Sequence, residues 1–201
     1  MNIQEAKKIT YALIDTFNKA GQIALDLRKA GLKKEIKSDN TPVSNGDIEV
    51  NKILTQKISK ITPNIIIVSE ENADHKNDKN LENFWLVDPI DGTRDYINDR
   101  DEFTLNAALI INRKPVIGII TAPAKKRVFY SYGISNSYEL INNQEVDLIN
   151  KKKNYKELKA VSYSDELKPE ISQIYEKYKI TSHQKMKSSL KFCVVAAGEF
   201  D

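Results

Sequence analysis

The chain has a single cysteine, Cys193, among its 201 residues, so no disulfide can form within it. That fits a reducing cytoplasm. Phe192, Val194 and Val195 around it are apolar, and the thiol reads as buried and inert rather than as a nucleophile. There are only two histidines, His75 and His183, far apart, and neither is assigned a role. With no clustered His or Cys, a zinc site is not expected. No apolar run approaches the roughly 20 residues that a membrane span needs. The start, Met1 to Lys8, is polar and lacks the apolar core of a signal peptide. The expectation is a cytoplasmic protein with no stable transmembrane anchoring, peripheral association with the inner membrane staying open. A net charge of only +3, without interleaved aromatic and basic residues, gives no nucleic-acid footprint, so no nucleic-acid partner is expected.

What is present supports a folded core. Apolar residues make up 40% of the chain and charges are spread rather than blocked. Ile3, Ala6, Ile9, Leu13, Phe17, Ala20, Ala24 and Leu27 recur at three- and four-residue steps, which predicts a helix over 3–29 closed by Gly31. Ser38 to Pro42 reads as a turn. A second helix is expected from Ser44 or Asn45 to just before Pro63. Two short buried strands follow, Ile65 to Val68 and Phe84 to Val87, separated by a polar loop. Further strands are expected near 103–111, 116–121, 127–132 and 137–141, in an antiparallel sheet. Residues 142–157, rich in Asn and Lys and including Lys151 to Lys153, read as a solvated linker. A strand over 158–163 and helices over 169–178 and 190–198 then begin an α/β layer with its own sheet. The expected domains are 1–153, an α+β unit, and 154–201, the start of an incomplete C-terminal α/β unit. An apolar helix followed at once by the last residue, Asp201, reads as a truncation.

The chemistry gathers where the two buried strands end. Ile-Ile-Ile-Val leads to Glu70 and Phe-Trp-Leu-Val to Asp88, with Asp91 three residues on. If these strands are parallel neighbours, three carboxylates converge. Bare, they would repel and raise one another's pKa values, and a hard divalent cation would relieve this. An all-oxygen donor set indicates Mg²⁺ or Mn²⁺. Pro89 stiffens the turn, the Ile90 carbonyl is a further candidate ligand, and Gly92 allows close backbone approach. Thr93 opens a short helix, and its hydroxyl could orient a water. Metals, an anion cradle and a placed water point to metal-assisted phosphoester hydrolysis.

The segment Trp85-Leu86-Val87-Asp88-Pro89-Ile90-Asp91-Gly92-Thr93 resembles the signature of the inositol monophosphatase superfamily. Asp39 to Ser44, Val68 to Glu71, Glu102 to Asn106 and Ser188 to Cys193 are similar to one branch, the 3'(2'),5'-bisphosphate nucleotidases of the CysQ type. The resemblance implies a layered αβαβα sandwich with its C-terminal α/β part truncated. It also implies Mg²⁺-dependent removal of a phosphate from adenosine 3',5'-bisphosphate to give AMP, linked to sulfate assimilation. Carried over by position, Glu70, Asp88 and the Ile90 carbonyl would hold one Mg²⁺, and Asp88 and Asp91 a second. Glu70, Ile90, Asp91, Gly92 and Thr93 would contact substrate, Gly92 and Thr93 through backbone N–H groups. Thr93, polarised by Asp47, would help activate the attacking water. Ser188 and Lys191 would lie near the nucleotide, although a helix start with a surface lysine explains them as well. The superfamily's later Trp-Asp segment, whose Asp completes the second metal site, has no counterpart in this sequence, so weak or absent turnover is expected.

Three readings stay open at this level. The first is the bisphosphate nucleotidase, with a small phosphorylated nucleotide as partner and room for a homodimer. The second is an inositol monophosphatase or a broad sugar-phosphate phosphatase. The third is a truncated, non-catalytic metal- or nucleotide-binding protein.

Overall fold

Helix α1 (Ile3–Ala30) starts where the Asn2 side chain accepts the Glu5 N–H at 2.9 Å, a capping bond that satisfies one otherwise unpaired donor. It ends at Gly31, whose φ of 96° few other residues would tolerate. Its buried stripe holds Ala6, Ile9, Leu13, Phe17, Ala20 and Ala24 as read from the sequence, whereas the expected end members differ: Ile3 in the first turn is exposed and Leu27 is only partly buried. The chain is described here from a computed structural model covering residues 1–37, 40–72, 74, 78, 80–142, 144–150 and 158–201. Ser38, Asp39, His75, Lys151 to Lys153 and the expected boundary at 153/154 lie outside the described residues.

Two three-residue strands come next, β1 (Lys34–Ile36) and β2 (Pro42–Ser44), paired antiparallel. The sequence reading had only a turn here. Three residues are too few to show an alternating pattern, and the pairing is set by partners across the turn. Helix α2 (Asn45–Ile61) begins with a reciprocal capping box between Ser44 and Asp47.

The main sheet follows: β3 (Ile66–Ser69), β4 (Phe84–Asp91), the short helix α3 (Thr93–Ile97), β5 (Thr104–Ile111), β6 (Lys114–Ala122), β7 (Arg127–Tyr132), β8 (Ser137–Ile141) and β9 (Gln144–Asp147). The seven strands lie in sequence order, with β3 and β4 parallel and every later pair antiparallel. The expected antiparallel sheet is thus a mixed one. β5 and β6 are joined by a two-residue turn in which Asn112 and Arg113 have φ of 50° and 60°, the geometry that matches strand twist. β9 corrects the linker reading of 142–157. Gln-Glu-Val-Asp has too little apolar character to announce a strand, and its pairing with β8 makes it one.

The remaining elements are β10 (Ala160–Ser162), α4 (Pro169–Tyr178), β11 (His183–Lys185) and α5 (Leu190–Ala196). β10 and β11 form a separate parallel pair with α4 as the connection. No helix among the described residues is long and apolar enough to cross a membrane.

α1 and α2 pack on one face of the main sheet, over Trp85, Val87, Leu105, Leu109, Ile117, Ile119 and Val128. Each fully buried large side chain there contributes roughly 1.5–3 kcal/mol. Trp85 also donates its indole N–H to Thr62 Oγ1 at 3.0 Å, so its one polar atom is satisfied inside. The opposite face carries a second cluster in which Ala122, Phe129 and Leu148 meet Met186, Leu190, Cys193, Val194 and Ala197. Leu86, the outward neighbour of Trp85 and Val87 on β4, shares the α5 face with Asp88 and is half exposed.

Candidate active site

β3 and β4 run side by side with Ser69 opposite Val87, and the Glu70 N–H extends the ladder to Val87 O at 3.0 Å. Glu70 and Asp88 therefore stand next to one another just past the carboxyl ends of two parallel strands, where open α/β sheets commonly bind ligands. This is the arrangement that the two apolar runs predict.

Asp91 joins them through a bulge. Asp88 pairs with Asn106 and Asp91 with Thr104, so three steps along β4 match two along β5. In a regular strand, residues three apart point to opposite faces. The extra residue restores the phase and sends both aspartates to the α5 side. Pro89 sits inside the bulge, where its missing N–H costs no ladder bond. Gly92 follows with φ of 92°, and a Cβ there would stand 2.9 Å from Glu102 O, so only glycine fits without displacing backbone.

Burial pushes the Asp88 carboxyl up to about 8, with the negative charges of Glu70 and Asp91 adding to the effect. Asp88 Oδ1 is buried and has no hydrogen-bond partner among the described residues. An orphaned carboxylate oxygen beside two further carboxylates and the Ile90 carbonyl suits a hard divalent cation. Among the described residues, however, no group of three or more His, Cys, Asp or Glu side chains is arranged to hold a metal as it stands. The donor chemistry fits the ion, and the side chains are not closed into a finished cage.

Asp47 and Thr93 meet as expected. Thr93 Oγ1 lies 3.1 Å from Asp47 Oδ1 and 2.9 Å from Ile90 O. The hydroxyl has one proton and two acceptors within reach, so it donates to one at a time. Asp47 Oδ2 accepts from the Ser44 N–H at 2.8 Å and the Ser44 hydroxyl at 2.6 Å. Burial raises the Asp47 carboxyl, and these bonds from Ser44 and Thr93 pull it part of the way back. Asp47, the third residue of α2 and a partner in its capping box, is thus also an acceptor within reach of Thr93. Tyr96 fixes the distance between the two elements: its hydroxyl donates to Ala24 O at 2.7 Å and its ring lies against Gly46.

Two groups were missed by sequence reasoning. Lys37 places its ammonium 2.7 Å from Glu71 Oε1 and 3.5 Å from Glu70 Oε1. Glu71, raised by burial and drawn back by Lys37, is a largely buried anchor rather than part of a solvated pair. Ser189 gives its N–H to Asp91 Oδ2 at 2.5 Å, and its hydroxyl bridges Asn106 Oδ1 at 2.7 Å and Thr104 Oγ1 at 2.8 Å. It ties the start of α5 to the carboxylate site across about a hundred residues of chain. The Ser188-Ser189 pair was the available signal, but nothing in it says which serine faces the site. Ser188 and Lys191 do line a pocket that contains Glu70, Gly92 and Thr93.

The sequence matches the profile of the inositol monophosphatase family over residues 5–201. It is 36% identical over 163 residues to the 3'(2'),5'-bisphosphate nucleotidase CysQ of Buchnera aphidicola, an alignment covering 81% of this chain and 61% of that protein. To the nucleotidase of the same name from Salmonella typhimurium it is 33% identical over 165 residues, covering 81% and 65%. A crystal structure of CysQ from Bacteroides thetaiotaomicron superimposes with a TM-score of 0.72 at 27% identity, covering 96% of this chain and 77% of that one. The chain spans less than two-thirds of the length of these curated relatives. The match runs through every element that builds the site, from the N-terminal helix to the last residue, and on that ground the chain belongs to the inositol monophosphatase family.

Proposed function

We propose that this chain carries the phosphate-cleaving site of a Mg²⁺-dependent phosphomonoesterase whose substrate is adenosine 3',5'-bisphosphate. The observation that carries the reading is the bulge in β4, which aligns Asp88 and Asp91 beside Glu70 and leaves Asp88 Oδ1 buried without a partner. Glu70, Asp88 and the Ile90 carbonyl would hold one ion, and Asp88 and Asp91 the protein side of a second. Bound there, Mg²⁺ supplies the Lewis acidity that offsets charge on a phosphoryl group. The chain's own residues do the rest. Thr93 Oγ accepts a hydrogen bond from the attacking water while its proton points to Asp47. Asp47 is held for this by Ser44 and so keeps one orientation. Gly92 lets the substrate phosphate approach the backbone. The nucleotide assignment rests on likeness to relatives named as bisphosphate nucleotidases.

Phosphate release by the purified chain from adenosine 3',5'-bisphosphate and from inositol 1-phosphate, with and without Mg²⁺, tests this reading. It predicts weak Mg²⁺-dependent release that favours the bisphosphate. Preference for inositol 1-phosphate would replace the substrate. The lack of a closed ligand set among the described residues favours a second reading, metal or nucleotide binding without turnover. Calorimetry showing binding in the absence of phosphate release would establish it.

A further inference from the structure

The pocket that contains Glu70, Gly92 and Thr93 has a volume of about 610 Å³, in the range of small-molecule sites. Its lining carries both signs of charge: the carboxylates of Glu70 and Asp95, and the cations of Arg94, Lys187 and Lys191, with Tyr163 beside them.

The cations of this lining are not equally committed. The Asp95 side chain, 6% exposed, is already neutralised by Arg100 at 3.0 Å. The Lys191 ammonium donates to Ser188 O at 2.8 Å and lies over the Phe192 ring at 4.6 Å. The Lys187 ammonium has a looser hold: its partner among the described residues is the same Asp95, at 3.5 Å through the other carboxylate oxygen. Glu102 is the second carboxylate nearby, and it accepts the backbone N–H of Lys187 at 3.0 Å. That bond fixes the main chain of Lys187 and leaves its side chain to the pocket. With Arg94, Lys187 and Lys191 set against Glu70 and Asp95, the lining keeps an excess of positive charge.

We infer that Lys187 is a specificity-determining residue: its ammonium, in surplus over Asp95, holds the non-reacting anionic group of a substrate whose reacting phosphate lies by Glu70, Asp88 and Thr93. This deepens the bisphosphate reading and rests on it. A substrate whose single phosphate is the reacting one leaves Lys187 with Asp95 alone and gains nothing from it. A nucleotide with two separated phosphates offers one to the carboxylate site and one to Lys187, so the same residue separates bisphosphate nucleotides from inositol monophosphates.

The test uses the two halves of the substrate, so turnover does not intervene. Dissociation constants are measured by calorimetry for AMP, which keeps the non-reacting 5'-phosphate, and for inorganic phosphate, both with Mg²⁺ present. They are compared for the wild type, Lys187→Met and Lys187→Arg. Loss of one charge-assisted hydrogen bond weakens AMP about tenfold in Lys187→Met. Inorganic phosphate binds the methionine variant as it binds the wild type, and Lys187→Arg restores AMP. Equal weakening of AMP and phosphate would show that Lys187 acts only by bracing Asp95, and would overturn the inference. Unchanged AMP affinity in Lys187→Met would overturn it too, with the bisphosphate reading intact. A wild type that binds phosphate but not AMP would bring down both.

Discussion

Asp88 is the residue on which the proposed chemistry turns, and its state dictates a pH dependence. A carboxyl raised in the folded protein favours folding most at low pH. For Asp88 that contribution is complete below the ordinary value of 3.8, declines as pH rises, and is gone above about 8. A bound divalent cation favours the charged form and acts in the opposite sense. The rise in melting temperature on adding Mg²⁺ is therefore larger at pH 8 than at pH 5, as differential scanning fluorimetry would show. An equal rise at both values would mean that Asp88 is not a ligand. Cys193 supplies a second prediction at this scale. Burial pushes its thiol up to about 12, so at pH 7.5 iodoacetamide leaves the native protein unmodified and labels it only after unfolding. Fast labelling of the native protein, read by mass spectrometry, would contradict the inert assignment.

Single elements here are held by partners distant in sequence, and this decides what the sequence could show. Ile-Ile-Ile-Val and Phe-Trp-Leu-Val announced β3 and β4 because they are unbroken β-branched and aromatic runs, although Ile66 and Leu86 turn outward and stay exposed. The carboxylates at their ends were legible for the same reason. The Thr93 contact with Asp47 was legible only through the family resemblance, since α2 and α3 meet in space and not in sequence. β1, β2, β9, Lys37 and the bridging role of Ser189 were not legible at all: each depends on an acceptor or a strand that no local pattern names. The same logic applies to the link between β7, β8 and the end of α5. Glu139 has no exposed surface, its Oε2 has no partner among the described residues, and Arg127 pairs with both Glu139 and Glu199. Arg127→Met strands a buried carboxylate and lowers stability by about 3 kcal/mol, measured by urea denaturation. A change below about 0.5 kcal/mol, the size of an ordinary surface substitution, would show that the pair is not a buried one. The turn after β4 is equally demanding. Gly92→Ala combines a positive φ with a backbone clash and costs roughly 1–3 kcal/mol, with loss of Mg²⁺ binding. Unaltered stability and metal affinity would mean that this turn can relax.

Across the molecule, one sheet separates two apolar clusters and presents its carboxylates to the second. α1 and α2 fill one face. On the other, α5 is tied to Asp91, Thr104 and Asn106 through Ser189, and an apolar cavity of about 570 Å³ runs from Asp88 and Asp91 toward Phe129 and Tyr138. An α/β layer with its own sheet was expected from the sequence; the pairing of β10 and β11 is parallel, and the fold superimposes on the relative of known structure. The central claim is that Glu70, Asp88 and Asp91 form a divalent-cation site at the ends of β3 and β4. Calorimetric titration of Mg²⁺ into the wild type and into Asp88→Asn tests it most directly. The account predicts saturable binding by the wild type, and affinity at least about tenfold weaker in Asp88→Asn, as loss of a charged ligand requires. Equal Mg²⁺ affinity in the two proteins would contradict it.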